Sequence, residues 1–247
     1  MLGLIMIAIT SFYIFSYVTV LYFPKLKNMD PYSRIKYARK QMRLVSKWMV
    51  KSLLIKEEII YEDEAMFRGL DSKDGIVLIS NHSSNLDIPL IINALSDSMD
   101  ISYIAKKEMS TWPFFGKWIP ESGGVFLDRE NAREGIKGIK KGIEIVKNGH
   151  PLCIFPQGTR KRGFGENEFK KGSFKLATEV NGYVIPVAIK GSDLIQEPGK
   201  TAMKLGRKVI VYVGKPIKMS DLSEEEIKNI NVILEEKIRT IYNDLKV

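Results

Sequence analysis

The chain has 247 residues, 45% hydrophobic and 27% charged, which suits one packed core plus an appendage and excludes both a disordered chain and a polytopic membrane protein. Ten of its 38 Lys and Arg, against one of its 29 Asp and Glu, lie between Pro24 and Lys56. The remaining residues carry 28 of each sign, so the net +9 points to a local anionic partner such as a membrane surface rather than to nucleic acid. A single cysteine, Cys153, excludes an internal disulfide framework and a multi-cysteine metal site.

Met1 to Phe23 contain no charged side chain, and seven of these residues are Ser, Thr or Tyr among Leu, Ile, Val, Phe and Ala. About 20 apolar residues are needed to cross a bilayer, so this segment is just long enough to span and also suits a shallow, slanted insertion. No positive region precedes it and no small-residue cleavage pattern follows, which argues against a signal peptide. Pro24 stops this helix, and Asp30-Pro31 opens a second. There Ile35, Ala38, Met42, Val45 and Met49 form an apolar stripe beside Lys36, Lys40, Arg43, Lys47 and Lys51. Such a helix suits the headgroup layer, with Trp48 at its boundary. Residues 1–56 are therefore expected to be a membrane-anchoring unit (apolar helix 1–23, basic amphipathic helix 31–56), and residues 57–247 a separate domain. The positive-inside rule would place that domain on the cytoplasmic side of the cell membrane.

Beyond Ile59, short β-type runs alternate with helical periods. Strands are expected at Ile76 to Ser80, Ile101 to Ala105, Val125 to Asp128, Leu152 to Phe155, Val184 to Ile189 and Val209 to Val213. Helices are expected at Ile88 to Leu95, Ala132 to Lys147, Ser173 to Val180 and Glu224 to Leu245. The alternation predicts an α/β fold with a largely parallel sheet covered by helices, whose sites gather at the carboxyl ends of strands. The one long internal connection is the Gly/Lys/Arg-rich loop Thr159 to Lys171.

Two histidines are present. His150 lies in a turn, Asn148-Gly149-His150-Pro151, and reads as an exposed loop residue. His82 directly follows the strand ending at Ser80, with Asp87 five residues on. A base at a strand end and a carboxylate to orient it are the parts of general-base catalysis, although Asn85 or Asp87 could equally be a helix cap. Three later segments add weight. Gly123-Gly124-Val125-Phe126-Leu127-Asp128-Arg129 brings a guanidinium to a strand end. Phe155-Pro156-Gln157-Gly158-Thr159-Arg160 offers amides, a hydroxyl and a guanidinium at one turn, the components of a phosphate or oxyanion cradle. Val184-Ile185-Pro186-Val187 is a buried strand with a fixed bend.

These four segments, in this order, resemble the motifs of the glycerolipid acyltransferase family, most closely its 1-acylglycerol-3-phosphate acyltransferases, over roughly residues 57–215. The resemblance implies that His82 and Asp87 are the catalytic pair and that Lys106, Gly124, Arg129, Gln157, Gly158, Thr159 and Arg160 serve the acceptor, lysophosphatidic acid. It implies a thioester donor, on acyl carrier protein or coenzyme A, membrane phospholipid as a partner, and no metal or cofactor. The family's third motif usually has Glu where this chain has Gln157, so restoring the charge there is expected to raise turnover. No Gly-x-Ser-x-Gly elbow is present and Cys153 sits in an apolar strand, which argues against an acyl-enzyme. Three other readings stand beside this one. The acceptor could be glycerol 3-phosphate or another lysolipid, the chain could be a non-catalytic module for anionic lipid, or it could be a phosphoryl-transfer enzyme. For the last, Gly199-Lys200-Thr201 resembles the end of a phosphate loop, but Leu194 occupies its first glycine position.

Overall fold

The computed structural model describes residues 19–128, 131–166 and 168–247. Most of the charge-free segment expected at Met1 to Phe23 therefore lies outside the described residues, and so does Arg129. No helix among the described residues is long and apolar enough to cross a membrane.

Residues 19–26 are helical, and α1 (Pro31–Ser52) follows, capped by the Asp30 carboxylate, which accepts from Tyr32 N–H and Ser33 N–H, with Pro31 in the first turn. The strands are β1 (Lys56–Tyr61), β2 (Ile76–Ser80), β3 (Ser102–Lys106), β4 (Val125–Leu127), β5 (Leu152–Ile154), β6 (Tyr183–Lys190), β7 (Lys208–Val213) and β8 (Ile217–Lys218). The helices between them are α2 (Glu64–Arg68), α3 (Asp87–Leu95), α4 (Phe115–Glu121), α5 (Ala132–Lys147), α6 (Lys175–Val180) and α7 (Ser192–Ile195). Two more, α8 (Glu224–Lys228) and α9 (Ile230–Asp244), close the chain. The sheet runs β1-β7-β6-β2-β5-β3-β4, with β8 beside β6. Its pairs are parallel except β6 with β7 and β6 with β8.

Strand alternation divides the core. Ile76, Leu78, Tyr103, Cys153, Ile185 and Val187 face α3 and α1. Val77, Ile79, Leu152, Ile154 and Val184 face α5, α6 and α9 on the other side. With helices on both faces, β2 is buried at all five positions and reads as a continuous apolar run. Burying each such Ile or Leu contributes about 1.5–3 kcal/mol.

Three features depart from the sequence reading. The helix expected over Glu224 to Leu245 breaks at Asn229, whose N–H bonds back to Glu225 O and Glu226 O as α9 begins. The helix expected at Ser173 to Val180 opens as a 3-10 turn over Lys171–Phe174. Helix α1 turns its apolar stripe onto protein. Ala38 and Val45 are buried, and Met42 and Met49 pack on the core beside α3. Arg43, placed by periodicity on the lipid stripe, donates to Ser96 O at 2.7 Å and pairs with Asp100, whereas Lys36, Lys40, Lys47 and Lys51 are exposed. Buried Arg39 donates to Ser122 O and Asp100 O at 2.9 and 2.7 Å. A stripe of this width is satisfied by a protein face as well as by a bilayer, and periodicity does not distinguish them.

Candidate active site

The site is built at the carboxyl end of β2. Buried Asn81 follows the strand, and its side chain extends the β2–β6 pairing: Nδ2 donates to Ile189 O at 2.9 Å and Oδ1 accepts from Ile189 N–H at 2.8 Å. That two-point contact fixes where the chain turns away from the sheet. The turn ends at Asp87, the first residue of α3, where the helix dipole favours a carboxylate. Asp87 is fully buried, and its Oδ2 accepts from Ser83 N–H, Ser84 N–H and His82 Nδ1 at 2.7, 2.8 and 2.7 Å. The loop is thus wrapped around one oxygen. With Nδ1–H donated to Asp87, Nε2 of His82 is left as the acceptor. The ring stacks on Phe155 with centroids 4.2 Å apart, which holds its plane.

The second segment is tied to the first. Gly158 N–H donates to Phe155 O at 3.0 Å, and Gly158 itself has φ +74°, a conformation that favours glycine. This turn brings Arg160 to Asn85, whose Oδ1 accepts from its guanidinium. The loop Thr159 to Lys171 is pinned by Lys161 N–H donating to His82 O at 2.9 Å and by Lys170 N–H donating to Pro156 O at 3.1 Å.

One cavity of about 610 Å³ is lined by His82, Lys106, Gly158, Thr159 and Arg160, and equally by apolar side chains of α1, α3 and the α4 region, among them Met42, Val45, Ile88, Met109 and Trp112. Of the residues expected to serve an acceptor, Lys106, Gly158, Thr159 and Arg160 are brought together here. Arg129 lies outside the described residues. Two others are placed elsewhere. Gly124 is buried at the amino end of β4, where a Cβ would lie 2.7 Å from Ile119 Cγ2 and 2.8 Å from Ser102 Oγ, so it is a glycine for close packing. Gln157 is also buried and faces away from the cavity. Its Oε1 accepts from His82 N–H, and its Nε2 donates to Glu168. A Glu at 157 would set two carboxylates against each other, a contact that the sequence reading of this position did not include.

His150 is buried as well, against the Tyr32 ring, where the turn Asn148-Gly149-His150-Pro151 suggested an exposed residue. Burial first, and the Arg39 charge second, push it down to about 4. Cys153 is buried in β5, and burial, then the Asp87 charge, raise its thiol far out of the nucleophilic range. Among the described residues no group of three or more His, Cys, Asp or Glu could hold a metal ion. The contributions of Asn81, Phe155 and Glu168 escaped the sequence reading, because their partners are 108, 73 and 11 residues away and no local pattern marks them.

A His–Asp pair at a strand end, above a mostly parallel sheet and beside a cavity with both cationic and apolar walls, defines the architecture of an acyl-transfer domain. The family model described as Acyltransferase matches residues 57–190, and the chain belongs to that family. It is 33% identical over 159 residues to the 1-acyl-sn-glycerol-3-phosphate acyltransferase of Saccharomyces cerevisiae, covering 63% of this chain and 52% of that protein. It is 30% identical over 168 residues to a probable 1-acyl-sn-glycerol-3-phosphate acyltransferase of Mycoplasma pneumoniae, covering 64% and 62%. The matched region thus spans between half and two thirds of these curated relatives. The crystal structure of the 1-acyl-sn-glycerophosphate acyltransferase PlsC from Thermotoga maritima is similar with a TM-score of 0.75 at 26% identity, covering 96% of this chain and 94% of that one.

Proposed function

We propose that the chain transfers a fatty acyl group from a thioester to the 2-hydroxyl of 1-acylglycerol 3-phosphate, giving phosphatidic acid, with His82 as general base. The observation that carries this reading is the 2.7 Å contact between His82 Nδ1 and Asp87 Oδ2 at the edge of a cavity with both cationic and apolar walls. The names of the relatives support the acceptor. Nε2 of His82 takes the hydroxyl proton, the oxygen attacks the thioester carbonyl, and the tetrahedral intermediate expels the thiolate, which recovers the proton from the imidazolium. Asp87 stabilises that imidazolium. The amides of residues 82, 83, 84, 158 and 161 are already engaged, so they are not the donors for the oxyanion. Other polar groups lining the cavity, among them Asn85, Lys106, Thr159 and Arg160, are the candidates to meet that charge. The same cations suit a phosphate, Arg160 in bidentate fashion, and the apolar walls suit an acyl chain. Arg129, by sequence, would join them.

Acceptor and product are both lipids, which gives the N-terminal unit a purpose. The charge-free segment and the exposed lysines of α1 would hold the cavity at the headgroup plane of the cell membrane, on its cytoplasmic side, where the exposed side chains of Val20, Leu21 and Trp112 favour the interface. The donor is a thioester of acyl carrier protein or coenzyme A. Thiol release from each donor, measured with lysophosphatidic acid, glycerol 3-phosphate and a lysolipid without a free phosphate, tests the reading. It predicts the fastest release with lysophosphatidic acid. Faster release with another acceptor would reassign the substrate, and release with none, alongside binding to anionic vesicles, would favour the non-catalytic module.

A further inference from the structure

His82 sits in a closed circuit of hydrogen bonds that begins and ends on its own backbone. Its N–H donates to Gln157 Oε1, and Gln157 Nε2 donates to Glu168 Oε2. Glu168 Oε1 accepts from Lys161 Nζ at 2.9 Å, and Lys161 N–H donates to His82 O at 2.9 Å. The circuit is anchored from the far side of the fold. Glu235, a buried carboxylate on α9, accepts from Glu168 N–H and Phe169 N–H at 2.9 and 2.8 Å. Residue 157 must therefore accept from an amide N–H on one side and donate to a carboxylate on the other. An amide does both at once, whereas an ionised carboxylate only accepts. The orientation of the Gln157 amide is fixed by these partners.

We infer that Glu168 is a positioning residue for acyl transfer, and that Gln157 and Glu168 are a matched amide–carboxylate pair that sets the position of the His82 backbone, so that a carboxylate at 157 is tolerated only with an amide at 168. The inference rests on the reading of His82 as the general base. Gln157 is buried and Glu168 nearly so, with Lys161 at the exposed rim, and hydrogen-bond networks in such surroundings specify one arrangement when complete and are disrupted when one member cannot play its part. A base displaced by about 1 Å loses on the order of a hundredfold in rate.

The test is a charge-swap cycle in the full chain, Q157E, E168Q and Q157E/E168Q, assayed for kcat and acceptor KM with lysophosphatidic acid between pH 5.5 and 8.5. In Q157E two carboxylates face each other, with Lys161 on the same loop, Glu235 on α9 and His82 itself as the neighbouring titratable groups. At pH 8 its kcat is expected to fall on the order of ten- to a hundredfold with acceptor KM little changed. Its activity relative to the unmutated chain should rise as pH falls and a proton enters the pair. E168Q leaves a neutral acceptor and should lose only a few-fold, since the charged bond is roughly twice as strong as the neutral one. The double variant restores one donor and one acceptor in the reverse sense, and should return to within a few-fold of the unmutated rate and recover its pH profile. Full activity of Q157E at pH 8, or a double variant no better than Q157E, overturns the inference. If Q157E does not fold, a folded and active double variant still supports the pairing and an inactive one overturns it. Retained activity of His82→Ala would instead overturn the underlying general-base reading, so the two failures are separable.

Discussion

Asp87 holds three N–H groups on a single oxygen while fully buried, so it shapes the loop and, in the proposed mechanism, orients His82 at once. Asp87→Asn keeps the size but loses the charge that stabilises the imidazolium and disturbs the tautomer. We expect kcat to fall on the order of 10²–10⁴-fold in steady-state assays, and a loss of less than about threefold would show that the pair is only a cap. Arg160 and Lys106 belong to a different interaction. Arg160→Ala should raise acceptor KM on the order of tenfold and leave donor KM nearly unchanged, because a guanidinium matches phosphate and a thioester makes no such demand. Equal changes in both constants would make Arg160 structural, a role its contact with Asn85 could also serve. The sequence made His82, Asp87 and Arg160 legible because their spacing within short segments is itself the signal. Gln157 and Gly124 fall within the same motifs but face the interior, since a motif fixes order along the chain and not the direction of each side chain.

At the level of elements, the strands β2 to β7 and helix α5 follow their hydrophobic periods closely. Strand β1 escaped because Lys56 was assigned to the end of the basic helix 31–56 and the charges of Glu57 and Glu58 hide a β pattern; the helix instead ends at Ser52, and the backbone from Lys56 pairs with β7 at the edge of the sheet, where polar side chains are tolerated. Helix α4 escaped because Pro120 lies within it. Helix α1 was legible as amphipathic, yet which partner its apolar face meets depends on the tertiary fold. It forms one wall of the cavity through Met42 and Val45 and is tied down by Arg39. Burial, the largest influence, lowers Arg39 to about 9, with the Asp100 charge opposing, so it is still charged at neutral pH. Arg39→Met would retain bulk but leave Ser122 O and Asp100 O without their donor. We expect a loss of about 2–4 kcal/mol in urea unfolding, and a loss below about 0.5 kcal/mol would show that α1 is held by its apolar contacts alone.

The stability of the whole molecule depends on pH through two groups outside the site, His150 before the amino end of β5 and Glu57 in β1. His150, at about 4, is neutral in the folded chain, whereas an unfolded His titrates near 6.5. Its contribution to stability is full above that value and is lost as pH falls from about 6.5 towards 4. Glu57 acts in the opposite sense. Burial first raises it to about 7 against the hydrogen bond from Asn93, so the stability it contributes in acid is lost as pH rises from about 4.5 to 7. The two partly cancel in the intact chain, and a single-site comparison separates them. His150→Gln should lose about 1–3 kcal/mol less than the unmutated chain between pH 7 and 4.5, read from urea midpoints at each pH. An identical pH slope in both would contradict the burial of a neutral ring.

The central claim is that His82 is the base that activates the acceptor hydroxyl. It is tested most directly by the rate of phosphatidic acid formation from lysophosphatidic acid and a saturating acyl thioester, with His82→Ala compared against the unmutated chain. The circular dichroism spectrum and urea midpoint of the variant should be nearly unchanged, because the side chain lies in a loop and carries little of the core. Turnover is expected to fall on the order of 10²–10⁴-fold. A folded variant that keeps more than about half of the activity would contradict the claim, since so small a loss lies far outside the contribution of a general base.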